Sequence, residues 1–178
     1  VSFDRMNAIK AFNASDKIVT CEPGLITADL QTFAKEQGFF YPVDFASAGS
    51  SQIGGNVATN AGGIKVIRYG LTRDWVAGLK VVTGTGHLLD CNFGLVKNAT
   101  GYDFRHLMIG SEGTLGLIVE VDIRLTALPP PQMVMVLAVE HSKDLIKVLK
   151  EFSQEMPLSA FEFFSDLALS KVLDHREL

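Results

Sequence analysis

The stretch that decides the fold is residues 42–63, PVDFASAGSSQIGGNVATNAGG, in which five glycines are interspersed with small polar residues. It has little of the periodicity of a helix or a strand. Glycine permits positive φ and close approach of another group to the backbone, and successive N–H groups in such turns form concave anion sites. Serine, threonine and asparagine add neutral donors. The pattern predicts an anion-binding loop, with an ordinary surface loop as the alternative.

The composition is that of an ordinary globular protein. The 178 residues are 47% hydrophobic and 20% charged, which suffices for one good core or two small domains. The net charge of −4 argues against nucleic-acid or membrane-surface partners that need basic patches. Cys21 and Cys91 lie in apolar runs and are expected to be reduced core residues of a cytoplasmic protein.

Both ends of the sequence look like the interior of a longer chain. It begins with Val1, and residues 174–178 carry a helical pattern that they do not complete. We therefore expect an internal piece of a larger protein.

Apolar runs before the glycine-rich stretch predict a hairpin and a helix. Ile9–Asn13 and 17–22 alternate around a short polar turn, which is typical of paired strands. Thr27 is expected to cap a helix that ends near Gly38. After the stretch, residues 76–91 predict a second hairpin around a Gly-Thr-Gly turn.

A second glycine-rich turn, Gly110-Ser111-Glu112-Gly113-Thr114-Leu115-Gly116, runs into an apolar alternation over 117–125. That alternation predicts a buried strand. Asp103 is expected to cap a short helix before the turn. The Glu112 carboxylate is either an acceptor for ribose hydroxyls or a solvated turn acid, and spacing alone leaves both open.

Pro129-Pro130-Pro131 is the clearest boundary, because no helix or central strand crosses three prolines. It predicts two domains, 1–128 and 129–178. The tail pattern favours a strand over 133–139, a helix over 142–154, a strand over 160–164 and a helix over 165–173.

Common catalytic and nucleotide motifs are absent from the sequence. There is no Walker A ending and no complete dinucleotide fingerprint, the four histidines lack metal-ligand spacing, and no nucleophile elbow occurs. We assign no catalytic residue and no metal site.

The glycine-rich motifs, taken in order, resemble the FAD-linked oxidases with the p-cresol methylhydroxylase and vanillyl-alcohol oxidase fold. The motifs that carry the resemblance are Ile53-Gly54-Gly55-Asn56-Val57-Ala58-Thr59-Asn60-Ala61-Gly62-Gly63, Arg68-Tyr69-Gly70, Gly101-Tyr102-Asp103 and Ile109 to Gly116. The most similar branch contains the D-2-hydroxyglutarate and D-lactate dehydrogenases and the flavin subunit of glycolate oxidase. The resemblance covers residues 21–131.

The resemblance implies an α+β fold: the second subdomain of a PCMH-type FAD-binding domain, followed by the start of an α+β substrate (cap) domain. The family segment that lines the pyrophosphate and flavin is matched by Pro42, Asp44, Ser51, Gly54, Gly55, Asn56, Asn60, Gly62 and Gly63. The segment near the adenosine half is matched by Glu112, Gly113, Gly116 and Ile118. A side chain at Gly54 or Gly55 is expected to obstruct FAD and to leave the fold intact.

The resemblance also implies the chemistry, which is oxidation of a D-2-hydroxy acid to the 2-oxo acid by hydride transfer to flavin. A quinone, a cytochrome or an electron-transfer flavoprotein would accept the electrons. The catalytic base and any metal are expected outside this sequence. Part of the FAD site, including a phosphate-binding turn, is also expected outside it, so the piece alone should bind FAD weakly or not at all. Its strands lack neighbours, so it should self-associate into a homo-oligomer. A same-fold reductase of a sugar-nucleotide enol ether and a non-catalytic interaction module are the alternatives.

Replacing Glu112 with alanine separates the two interpretations of that carboxylate. A ribose-bonding carboxylate would lose roughly 1.5–3 kcal/mol of FAD affinity, whereas a solvated acid would lose almost nothing. Titration of the apo full-length protein with FAD measures the difference. A change below about twofold would assign Glu112 to the solvent, since tenfold corresponds to ~1.4 kcal/mol.

Overall fold

The computed structural model describes residues 1–91 and 97–175, and an antiparallel sheet of five strands forms its centre. The strands, in chain order, are β1 (Ile9–Asn13), β2 (Ile18–Cys21), β3 (Phe39–Phe40), β4 (Val76–Thr83), β5 (Leu88–Asp90), β6 (Gly116–Arg124) and β7 (Thr126–Ala127). The central sheet has the order β1-β2-β6-β4-β5, and β3 pairs with β7. Both predicted hairpins are therefore confirmed.

The helices are short, from 4 residues in the shortest to 12 in the longest. They are α1 (Thr27–Glu36), α2 (Ile53–Ala58), α3 (Val66–Tyr69), α4 (Thr72–Trp75), α5 (Phe104–Met108), α6 (Asp144–Glu155) and α7 (Asp166–His175). Residues 176–178 of the predicted unfinished helix lie outside the described residues. The predicted α+β fold is confirmed.

Strand β6 is the middle of the core because its alternate residues are apolar. Ile118, Val121 and Ile123 are buried, and β6 hydrogen-bonds to β2 on one side and β4 on the other. The predicted buried strand over 117–125 is thus confirmed.

Helix α1 differs in one detail from its prediction. Thr27 is the first helical residue and not the cap; Ile26 occupies the cap position without a side-chain hydrogen bond. The Thr27 hydroxyl is committed to another part of the chain, described below. Gly38 follows the helix with φ +80°, as expected of a helix end.

The glycine-rich stretch contains a helix that the sequence pattern did not predict. Ile53 and Val57 lie one turn apart in α2 and are fully buried. The N–H groups of Ile53 and Gly54 donate to the carbonyls of Leu25 and Pro23, at 2.9 and 2.7 Å. Tertiary contacts thus stabilise six helical residues despite two glycines, which are poor helix formers.

The segment before β1 packs against the turn that precedes α1. Met6 accepts a hydrogen bond from the N–H of Gly24 at 2.8 Å, and the Gln52 side chain donates to Asp4 at 2.9 Å. A Cβ on Gly24 would lie 2.1 Å from the carbonyl oxygen of Phe3. The first residues are therefore built onto the same turn that supports α2.

The prediction of strands in the tail is wrong. Residues 133–139 and 160–164 form no strand, whereas α6 and α7 agree with the predicted helices. Met133 and Val134 are 94% and 92% exposed. An apolar run becomes a strand only beside a partner, and the described residues place none along these segments. The division into domains at the prolines stays a prediction.

The two cysteines are free and buried, as predicted. Burial, followed by the nearby carboxylates of Asp122, Glu120 and Glu22, raises the pKa of Cys21 to about 12. No helix in residues 1–91 or 97–175 is long and apolar enough to cross a membrane.

Glu120 on β6 joins three strands by ion pairs with Lys10 of β1 and Lys80 of β4. Partial burial raises the pKa of Glu120, but the hydrogen bonds and charges of the two lysines outweigh it, so the pKa lies below its usual value. The resulting stabilisation is present above the unfolded pKa of about 4.3. It is lost as the pH falls through the lower folded pKa.

We expect Glu120→Gln to lower the free energy of unfolding by about 0.5–1 kcal/mol at pH 7. Below the folded pKa, wild type and variant should be equally stable, because the wild-type carboxyl is then neutral. Urea titrations of the full-length protein at pH 7 and at stepwise lower pH measure this, with Glu36→Gln on exposed α1 surface as the control. A deficit that stays the same at every pH would show that packing, and not charge, is lost.

Candidate functional site

A buried hydrogen-bond cluster fixes the glycine-rich stretch to helix α1. The hydroxyls of Thr27 and Ser51 lie 2.8 Å apart, and the Thr27 N–H donates to the Ser51 carbonyl at 2.9 Å. The Asn56 side-chain amide donates to the Thr27 hydroxyl at 2.7 Å. Thr27 and Asn56 are buried, so this cluster holds both the loop and α2 from inside.

The end of the stretch is held by main-chain contact with its beginning. The Ile64 N–H donates to the carbonyl of Asp44 at 3.0 Å, and the Asp44 carboxylate pairs with Lys65 at 2.9 Å. A Cβ on Gly63 would lie 2.3 Å from that carbonyl oxygen. Glycine is required at position 63 because the two backbones touch.

The second glycine-rich turn docks on the last carbonyls of α2. The N–H groups of Gly110 and Glu112 donate to Val57 and Ala58, at 3.1 and 2.9 Å. Glu112 and Gly113 have φ of +51° and +78°, which places consecutive residues in the left-handed region. The two glycine-rich motifs therefore meet at one place, although about fifty residues separate them in the chain.

Asn60 and helix α4 connect this junction to the sheet. Asn60 has φ +47°, and its side-chain oxygen accepts from the N–H of Arg73 at 3.1 Å. The Thr72 hydroxyl donates to the Ala61 carbonyl at 2.7 Å. Because the amide oxygen of Asn60 is engaged, its Nδ2 is left as a donor.

Asp103 has the capping role that its position predicts. Its carboxylate accepts from the His106 N–H at 3.1 Å and from Arg105 at 2.9 Å. Partial burial raises the pKa of Asp103, but these hydrogen bonds and the charge of Arg105 bring it below its usual value. The group stabilises α5 and is not poised for proton transfer.

The exposed part of the junction is mostly bare glycine backbone. The N–H groups of Gly55, Gly62 and Gly63 donate to no group in residues 1–91 or 97–175. Gly55 is exposed, and a Cβ there would meet nothing within 4 Å. Free N–H groups on open backbone suit a phosphate-bearing group. This surface fits the FAD that the sequence resemblance implies.

A shallow depression of about 400 Å³ lies beside Gly62 and Gly63. Its remaining walls are Phe45, Ala46, Ile64, Val66, Leu71 and Glu162. Apolar walls next to exposed N–H groups can take a ligand with a flat ring and a polar chain.

The structure divides the predicted site residues into two groups. Those engaged by the protein's own packing, ion pairs or hydrogen bonds are Pro42, Asp44, Ser51, Gly54, Asn56, Gly116 and Ile118. Those with free donors or exposed atoms are Gly55, Asn60, Gly62, Gly63, Glu112 and Gly113, although Gly63 also packs against the backbone of Asp44. No group of three or more metal-ligating side chains is present in the described residues.

The expected role of Gly54 needs correction. A Cβ on Gly54 would lie 2.4 Å from the Cβ of Pro23. Position 54 therefore requires glycine because α2 packs closely against the turn before α1. A side chain at this position would disturb the fold. Sequence analysis also missed Thr27 as the centre of the buried cluster and Arg73 at the junction. Neither carries a local sequence signal for these contacts.

A family model described as an FAD binding domain matches residues 1–92, more than half of the chain. The chain belongs to the FAD binding domain family. Its cofactor is FAD, as the sequence predicts.

Three relatives of this chain carry the name D-2-hydroxyglutarate dehydrogenase. The chain is 60% identical to D-2-hydroxyglutarate dehydrogenase of Stutzerimonas stutzeri over 97% of its length and 57% identical to that of Xanthomonas citri over 98%. It is 42% identical to the mitochondrial D-2-hydroxyglutarate dehydrogenase of Arabidopsis thaliana over 98%. The chain spans 37%, 37% and 32% of these three relatives.

Solved structures agree on the fold. Two structures of alkyldihydroxyacetonephosphate synthase match 71% of this chain with TM-scores of 0.62 and 0.61, at 29% and 28% sequence identity. The match covers 22% and 24% of those longer chains.

Alanine at the two adjacent glycines of α2 should separate fold from cofactor. Gly54→Ala should lower the free energy of unfolding by about 1–3 kcal/mol because its Cβ meets the rigid Pro23 ring. Gly55→Ala should raise the free energy of unfolding by up to about 1 kcal/mol, since alanine is the better helix former. The same variant should weaken FAD binding at the exposed surface. Denaturation of apo full-length protein and FAD titration provide the two readouts. Equal FAD affinity for Gly55→Ala and wild type would remove Gly55 from the cofactor surface.

Proposed function

We propose that the full-length protein containing this chain oxidises D-2-hydroxyglutarate, or a D-2-hydroxy acid close to it, to the 2-oxo acid. The observation that carries the proposal is 60% identity to a D-2-hydroxyglutarate dehydrogenase over 97% of the chain. Identity of this level over nearly the whole chain supports a common activity for the two full-length proteins. FAD, when bound, supplies the acceptor for the substrate's α-hydrogen as hydride.

The role of this chain in that reaction is to hold and orient FAD. The free N–H groups of Gly55, Gly62 and Gly63 suit the diphosphate. The Asn60 Nδ2 adds a side-chain donor at the same junction. The exposed Glu112 carboxylate would accept a hydrogen bond from a ribose hydroxyl. The buried cluster of Thr27, which does not face the cofactor surface, fixes the positions of these groups.

The rest of the proposal concerns partners and location. Residues 129–178 would open a substrate domain, and a quinone, a cytochrome or an electron-transfer flavoprotein would reoxidise the flavin. The predicted homo-oligomer and the cytoplasmic location stay predictions. Bacterial and mitochondrial proteins both occur among the relatives.

The two other functions have less support. A sugar-nucleotide enol-ether reductase has no counterpart among the relatives described above. A non-catalytic module would not need a glycine backbone whose N–H groups stay free at the junction of both motifs. That exposed backbone favours a cofactor-binding role.

Anaerobic flavin reduction tests the proposal directly. Purified full-length protein should show the absorption band of oxidised flavin at roughly 450 nm. Addition of D-2-hydroxyglutarate should bleach this band. L-2-hydroxyglutarate is the stereochemical control, and D-lactate and glycolate rank the substrates. Protein without flavin would contradict the FAD site. Flavin that stays oxidised with all the D-acids and glycolate would contradict the reaction but leave the cofactor assignment intact.

A further inference from the structure

Arg73 lies at the junction of the two glycine-rich motifs. Its N–H donates to Asn60 at 3.1 Å, and its guanidinium approaches the carbonyl of Ile109, the residue before Gly110, at 3.5 Å. A Cβ on Gly110 would lie 3.7 Å from the same guanidinium nitrogen. The backbone of Arg73 therefore contacts the first motif, and its guanidinium lies beside the start of the second.

That charge has no counter-charge in residues 1–91 or 97–175. The Nε of Arg73 is buried there without a hydrogen-bond partner, and the bond to Ile109 is long. The neighbouring carboxylate of Asp74 is turned away, because it accepts from the N–H of Leu71 at 2.8 Å. The other arginine near this part of the sheet, Arg105, is by contrast paired with Asp103 at 2.9 Å.

A half-buried guanidinium with idle donors is unfavourable unless something binds it. Removing a charge from water is costly when no partner replaces the solvent, and arginine stays charged at any ordinary pH. Its planar fork of N–H groups matches the paired oxygens of a phosphate or a carboxylate. The free N–H groups of Gly62 and Gly63 lie two and three residues after Asn60 in the chain, so the neighbouring backbone also favours an anion.

We propose that Arg73 binds an oxyanion at this junction, supplied by the diphosphate of FAD or by a carboxylate of the substrate. The inference rests on the proposed function, since both anions belong to that reaction. It adds a cationic residue to a surface that otherwise offers neutral donors and the acidic Glu112.

The test uses full-length protein and the variants Arg73→Met, Arg73→Lys and Arg124→Met. Methionine keeps much of the apolar length and removes the charge, whereas lysine keeps the charge and loses the fork. Arg124 is the matched control because it lies on β6 opposite Ile18 of β2, and in the described residues its side chain forms no hydrogen bond or ion pair with either glycine-rich motif. For each variant the FAD dissociation constant, the KM for D-2-hydroxyglutarate and the melting temperature of the apo protein are measured.

If the oxyanion is the diphosphate, Arg73→Met weakens FAD binding at least tenfold, Arg73→Lys weakens it less, and KM at saturating FAD is unchanged. If it is the substrate carboxylate, FAD affinity is retained and KM rises at least tenfold. Arg124→Met should stay within twofold of wild type in both. Either selective loss supports the proposal and identifies the source.

If the FAD dissociation constant and the KM of Arg73→Met both stay within twofold of wild type, the inference is overturned. A lower melting temperature in that case would mean that Arg73 is paired within the protein. Should Arg73→Met melt more than about 5 °C below wild type, Arg73→Gln, which keeps amide donors without charge, is judged by the same criteria. Wild-type protein that binds no FAD would refute the proposed function and this inference together. Wild type that binds FAD while Arg73→Met binds it equally, with equal KM, refutes only the inference.

Discussion

The hydroxyl of Thr27 is the group on which the arrangement of this domain depends. It accepts from the Asn56 amide and lies against the Ser51 hydroxyl, so one buried oxygen joins the start of α1, the glycine-rich loop and α2. A buried polar group that lost these partners would cost about 1–3 kcal/mol. The position of α2 in turn decides where the second glycine-rich turn docks, because that turn donates to the last carbonyls of the helix.

Side chains and backbone have different roles in this arrangement. Ser51 and Asn56 look in the sequence like donors for a ligand, yet they are satisfied inside the protein. The groups left over for a ligand are main-chain N–H groups of glycines. Neutral side chains thus build a rigid support, and the support presents backbone dipoles whose positions do not depend on rotamers. Such preorganisation reduces the entropy lost when a ligand binds.

Sequence alone predicted the parts that depend on local pattern. The hairpins, the buried strand β6 and the cap at Asp103 follow from alternation, turns and capping chemistry. The helix within the glycine-rich stretch could not be predicted, since its formation depends on Pro23 and Leu25 carbonyls distant in sequence. The tail strands failed for the opposite reason, because an apolar run is compatible with a strand but cannot supply the neighbouring strand. Gly54 was misread because a glycine required for packing and one required for a ligand look identical in a sequence.

The contact of residues 3–6 with the Pro23-Gly24 turn has a consequence for how the domain opens. The carbonyl of Met6 accepts a hydrogen bond from the Gly24 N–H, and the carbonyl of Pro23 accepts one from the Gly54 N–H of α2. The first residues of the chain and the glycine-rich stretch are therefore linked in series by short backbone hydrogen bonds. Such a chain of bonds behaves as one cooperative unit. In hydrogen exchange, the amides of Gly24, Gly54 and Asn56 would be released in a single event, and loosening the leading segment would expose the cofactor-facing backbone with it.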